Sequence, residues 1–228
     1  MSSNHNVSPV NPLPPVIVAL AGAMFVIELA FNLGARGLIG GPQAVGWRTE
    51  AIQGYSPSGL LVHRMIEAGR YPPEYLLRFV TYPFIHVNFT HMMFAVAILL
   101  ALGKFVGEVF RWWALLLVFF TATIVGAVVY GLFVDSRVAL VGTYPGDYGL
   151  IGAFTFLLWV DLAAHGANKY RAFTLIGLLL FIQFFFAVFL GGGQGWIANV
   201  AGFATGFGLS FMVSPGGWTR ALTQLRRR

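Results

Sequence analysis

The side chains that could do chemistry in this chain are few, and most stand inside long apolar stretches. Glu28, His91, Tyr144, Asp147, Gln183 and Asn199 are the ones to single out. Polar groups in such surroundings are costly, so each is a functional candidate by default. A hydroxyl beside an imidazole would make a nucleophile with its base. Glu28, His91 and Asp147 could instead mark a proton or ion path. Metal chemistry is not indicated. His86 and His91 stand five apart, not at the i, i+4 spacing that puts two ligands on one helix face, and the chain has no cysteine. No carboxylate cluster accompanies them, and no cofactor is implied.

The elements that must hold these groups are membrane helices. The chain has 228 residues, of which 57% are hydrophobic and only 10% charged, with mean hydropathy +0.76. A soluble domain carries about 25% charged residues, so much of this apolar surface must face lipid. A spanning helix needs about 20 apolar residues. Six runs qualify, at 16–34, 90–107, 112–134, 138–164, 173–190 and 196–213. The expected fold is therefore an all-α, six-span membrane bundle over 16–213. A polar tail (1–15) without Lys or Arg precedes it, and a basic tail (214–228) follows. The long first loop, 36–85, is membrane-associated. Its stretch Gly59–Ala68 reads as an amphipathic interfacial helix, with Leu60, Leu61, Met65 and Ile66 opposite His63, Arg64 and Glu67. Pro72 and Pro73 end it, and the apolar 75–85 dips toward the bilayer.

Six spans put both termini on one side. That side carries eight Lys and Arg (Lys104, Arg111, Lys169, Arg171, Arg220 and Arg226 to Arg228) against six opposite. The bias favours cytoplasmic termini in a multi-pass cell-membrane protein. The net charge of +6 is membrane-surface charge. No basic stripe with interleaved aromatics suggests nucleic acid. Trp112, Trp113, Trp196 and Trp218 are expected interface anchors. Gly142, Gly146, Gly149 and Gly152 crowd the fourth span, and Gly202, Gly206 and Gly208 the sixth. Small residues at this spacing let helix backbones approach closely, so these two spans should touch.

Three stretches occur in a telling order: Arg78 to His91 entering the second span, Gly142 to Gly152 opening the fourth, and Ala198 to Gly206 opening the sixth. Over residues 78–211 the chain resembles the rhomboid family of intramembrane serine proteases. Arg78, His86 and His91 reproduce the family's Arg, then His eight later, then His five later. Tyr148, Gly149 and Gly152 match the family's aromatic-Gly…Gly if Tyr144 stands at the serine position. Ala198, Gly202 and Gly206 match the last span, with Asn199 where the family has its histidine. Ala95 replaces the oxyanion-holding asparagine, and Pro145 the glycine after the serine.

The resemblance implies that the frame survives and the reactive groups do not. Tyr144 is a bulky, weakly acidic phenol. Asn199 has no basic nitrogen, Ala95 donates nothing, and Pro145 removes a backbone N–H beside the oxyanion site. The implied protein is a non-catalytic relative that binds transmembrane helices of client proteins in a cleft between the second and fifth spans. His91, Tyr144, Asp147 and Asn199 would line that cleft, and Arg78, His86, Gly142, Gly149, Gly152, Gly202 and Gly206 would be structural. Asp147 could bond to Tyr144, Tyr148 or Asn199. Glu28 either stands alone as a neutral acid or bonds to the first loop. Two rivals stay open: a protease with an unusual nucleophile, for which Thr143 with His91 is the candidate pair, and a small transporter using Glu28, His91 and Asp147.

Overall fold

The computed structural model describes residues 12–189 and 193–214, apart from the side chains of 186–188. Most of both tails, with Trp218, Arg220 and Arg226 to Arg228, lies outside the described residues, as does Leu190 at the end of the fifth expected span. Helix α1 (Pro15–Ala35) opens on a proline, whose missing N–H is no loss at a first helical position. The first loop follows as a 3₁₀ turn (Pro42–Gly46), α2 (Trp47–Tyr55), α3 (Gly59–Ala68) and α4 (Pro73–Thr81). Then come α5 (Phe89–Gly107), α6 (Trp112–Phe133), α7 (Tyr144–Ala164), α8 (Thr174–Phe189) and α9 (Trp196–Val213).

Among the described residues, five helices are long and apolar enough to cross a membrane: α1, α5, α6, α7 and α9. The expectation of six is met at five positions. Of the stretch 173–190, the described helix α8 takes in Thr174–Phe189, within one residue of the expected start. The fourth helix starts later than hydropathy suggests, at Tyr144 and not Val138. Residues 138–142 run past the first loop, where Leu140 N–H donates to Pro57 O (2.8 Å) and Gly142 N–H to Tyr82 O (3.2 Å). Those hydrogen bonds satisfy backbone groups that would otherwise have to be helical inside a membrane.

Helices α7 and α9 meet backbone to backbone. A Cβ on Gly206 would collide with the backbone of Gly149, one on Gly202 with that of Pro145, and one on Gly152 with Phe203 and Phe207. Gly126 of α6 enters the same junction, where a side chain would strike Ala198 O and Pro145. The touching glycine faces expected of these two spans are therefore present. On the far side of α7, Leu150 and Ala153 join Met92 and Leu99 of α5, Met24 of α1 and Phe119 of α6 in one core.

The first loop is packed, not merely laid on a surface. Helix α3 occupies the expected residues, with Ser58 Oγ capping Leu61 N–H (3.3 Å) and Gly69 closing it at φ 58°. Its buried face is Gly59, Val62 and Met65 against α6, while Ile66, expected on the apolar side, is exposed. Tyr82, fully buried, donates its hydroxyl to Thr123 O (2.8 Å). Leu76, Leu77 and Val80 of α4 stay exposed, in keeping with a segment that touches lipid.

Glu28, buried in α1, does not stand alone. Arg48 of α2 grips it with two nitrogens, both at 2.8 Å, and Asn32 Nδ2 donates at 2.8 Å. The same guanidinium donates to His86 O (2.6 Å) and lies 5.2 Å over the Phe31 ring. One cation thus ties α1, α2 and the entry to α5.

Two outcomes follow for stability in detergent. Gly206→Ala should cost about 1–3 kcal/mol through overpacking, whereas Gly208→Ala, where a Cβ meets nothing within 4 Å, should change stability little. Arg48→Leu should cost about 3 kcal/mol by leaving a buried carboxylate unpaired, and adding Glu28→Leu should recover part of that loss. Thermal unfolding of the purified variants measures both.

Candidate functional site

His91 is placed by its own helix start. Asn88, the cap of α5, accepts from His91 N–H at 2.8 Å, which fixes this residue in the first turn. Its ring lies against Gly142, whose φ of 88° and lack of a side chain are both needed there: a Cβ would sit 2.6 Å from the imidazole. Tyr144 begins α7 two residues later, with Pro145 at a position where a proline starts a helix without loss. The Tyr144 ring meets His91 edge-on at 5.0 Å between centroids, and His91 meets His86 the same way at 5.4 Å.

Asn199 sits in the first turn of α9, buried and facing Gln183 of α8. Its Nδ2 donates to Gln183 Oε1 at 3.4 Å, and Gln183 Nε2 donates to the Tyr148 hydroxyl at 2.6 Å. This amide–amide–phenol chain joins α7, α8 and α9. In front of it opens a cavity of about 510 Å³, lined by His91, Tyr144, Pro145, Gln183 and Asn199 with apolar walls that include Val87, Leu140, Ile182 and Trp196. His91, Tyr144 and Asn199, far apart in sequence, therefore share one cavity.

Other expected site residues lie elsewhere. Asp147 is fully buried, is not among the cavity's walls, and bonds to none of Tyr144, Tyr148 and Asn199; both carboxyl oxygens lack a partner. Gln183 has taken the Tyr148 hydroxyl instead, offering a neutral donor at the right height. Ala95 is fully buried and adds no polar group. Thr143 is also fully buried, and its hydroxyl has no hydrogen-bond partner, His91 included. No hydroxyl is paired with an imidazole among the described residues.

Arg78 and His86 lie behind the cavity. Arg78 Nη1 donates to Gln53 O (2.8 Å) and Ser56 O (3.4 Å), holding the end of α2. His86 anchors the loop through its backbone carbonyl, not its ring, since Arg48 takes the carbonyl and neither ring nitrogen has a partner. Burial, and then the neighbouring His91, push the His86 imidazole down to about 4, so it is neutral at physiological pH. Sequence alone did not single out Arg48, one of five arginines in the first loop, or the bridging role of Gln183.

His86 makes stability pH-dependent. Unfolded chains take up a proton near the ordinary value of 6.5, while the folded protein does not until about pH 4. Stability should therefore be complete above pH 6.5 and fall as pH drops toward 4, by up to roughly 3 kcal/mol. Unfolding of His86→Leu in detergent across this range should show a shallower slope than that of the unaltered protein.

Comparison with curated proteins gives no match. A family model described as the Rhomboid domain matches residues 73–216, more than half of the chain. That span takes in every residue that lines the cavity, from Val87 to Asn199, and on this ground the chain belongs to the rhomboid family.

Proposed function

We propose that this rhomboid-family membrane protein is a pseudoprotease, which binds transmembrane segments of client proteins without cutting them. The observation that carries the reading is the chemistry of the cavity wall. A phenol (Tyr144), an imidazole (His91) and an amide (Asn199) converge there, and no nucleophile is hydrogen-bonded to a base. In a serine protease, loss of either the nucleophile or its base can cost about a million-fold in rate. Pro145, with no N–H to offer, and Ala95, with no donor, deprive a developing oxyanion of support as well.

What remains suits recognition. The cavity has apolar walls for a helix and a few convergent polar groups at one depth, the usual composition of a binding site. Helix α8 would make a sixth crossing, which puts both termini on one side, the cytoplasm. Lipid and client helices are then the partners, with no metal or cofactor in the role. Thr143 as a substitute nucleophile has no observation in its favour, being buried and unpaired with any base. Glu28 as a transport group is likewise occupied, by Arg48.

Purified protein in liposomes, offered a single-pass reporter helix, should leave the reporter intact and take no label from a serine-directed probe. A photo-crosslinking residue at Ile182 should capture the same reporter. Cleavage that Thr143→Ala abolishes would overturn the proposal.

A further inference from the structure

The cavity's polar chain carries information about which helices it would accept. Gln183 is the hydrogen-bonding contact between the midpoint of α8 and the rest of the bundle among the described residues, donating to Tyr148 and accepting from Asn199. The two bonds are unequal. At 2.6 Å the one to Tyr148 is short, and at 3.4 Å the one from Asn199 is near the limit of a hydrogen bond. Below this level α8 is held by apolar packing of Ile176 with Tyr148 and Ile151. On the outer side, Phe181 and Phe184 of α8 are exposed.

Asn199 and Gln183 both line the cavity, so a client side chain that reaches them competes for the longer bond. In hydrocarbon the two amides cannot turn to water for replacements, so the incoming side chain has to supply them. Asn199 Nδ2 would need an acceptor and Gln183 Oε1 a donor. A carboxamide has both on one planar group. A carboxylate has no donor, an ammonium no acceptor, and an aliphatic side chain neither. Beyond His91 and Tyr144 the walls are mostly apolar, through Val87, Leu140, Ile182 and Trp196, and they hold no carboxylate, Lys or Arg to pair with a charge.

We infer that the site selects transmembrane helices bearing an Asn or Gln at the depth of Asn199, the client carboxamide inserting between Asn199 and Gln183. This inference rests on the client-binding reading above and names its client class. The residues at the former base position and on α8 thereby become the specificity-determining pair, in place of any chemistry at Tyr144.

The test uses the full chain in liposomes and defined leucine-rich transmembrane peptides. Each carries a single Asn, Asp, Lys or Leu, stepped through successive positions over two turns. Binding is read by fluorescence titration, and location by photo-crosslinking from Ile182. In one register the Asn peptide should bind about tenfold more tightly than the Leu peptide, a difference of about 1.4 kcal/mol, with Lys no better than Leu and Asp no better than Leu at a pH that keeps it ionised. Asn199→Leu and, separately, Gln183→Met should each reduce that preference to less than threefold while still binding the Leu peptide. Equal binding of Asn and Leu peptides in every register would overturn the carboxamide inference and leave client binding intact. So would a preference that both variants retain. Failure of every peptide to bind would overturn client binding and this inference together.

Discussion

Backbone-to-backbone contact between α7 and α9 is the constraint on which the rest of this structure depends. Lipid tails are as apolar as the side chains they bathe, so membrane helices gain little from burying apolar surface against each other. Close packing has to supply the association. Gly149 and Gly152 on one helix and Gly202 and Gly206 on the other let the two backbones touch, and Gly126 admits α6 to the same junction. This contact sets the heights of Tyr144 and Asn199, which each lie in the first turn of their helix, and so places both at one cavity.

The second constraint is electrostatic. The first loop has five short helical pieces between α1 and α5, the last a 3₁₀ turn at Tyr82–Phe84, none long enough to hold its own position in a bilayer. Packing of Gly59, Val62 and Met65 on α6 holds the middle of the loop. Its beginning is held by Arg48, which spends its donors on Glu28 and on the carbonyl of His86. Two charges taken out of water are tolerable there because each has the other, with Asn32 donating to Glu28 and the His86 carbonyl accepting from Arg48. The same arrangement leaves the His86 ring buried and uncharged against His91, which braces the imidazole facing the cavity.

The cavity gathers polar side chains from four helices. The Tyr144 phenol meets the neighbouring His91 imidazole edge-on as a ring contact. The Asn199 amide pairs with a second amide on α8. Each of these groups can donate or accept a hydrogen bond, and among the described residues no hydroxyl is paired with an imidazole.

Much of this was legible in the order of residues alone. Five apolar runs long enough to span, the glycines at helical spacing, the capped α3 and the family pattern from Arg78 to Gly206 are local properties, set by hydropathy and by the residue types a turn or a close approach will admit. Hydropathy could not show that 138–143 is not helical, because those residues are apolar yet bonded to the first loop, a contact between distant segments. The start of α8 was legible to within one residue, because Lys169 and Arg171 interrupt the apolar pattern just before it. Glu28 was recognisable as costly, but its partner stood twenty residues away in a loop with several arginines, and only folding selected Arg48. Asp147 and Gln183 exchanged expected roles for the same reason. Sequence fixes which polar groups each helix carries, whereas the rotation and height of that helix against its neighbours decide which of them meet.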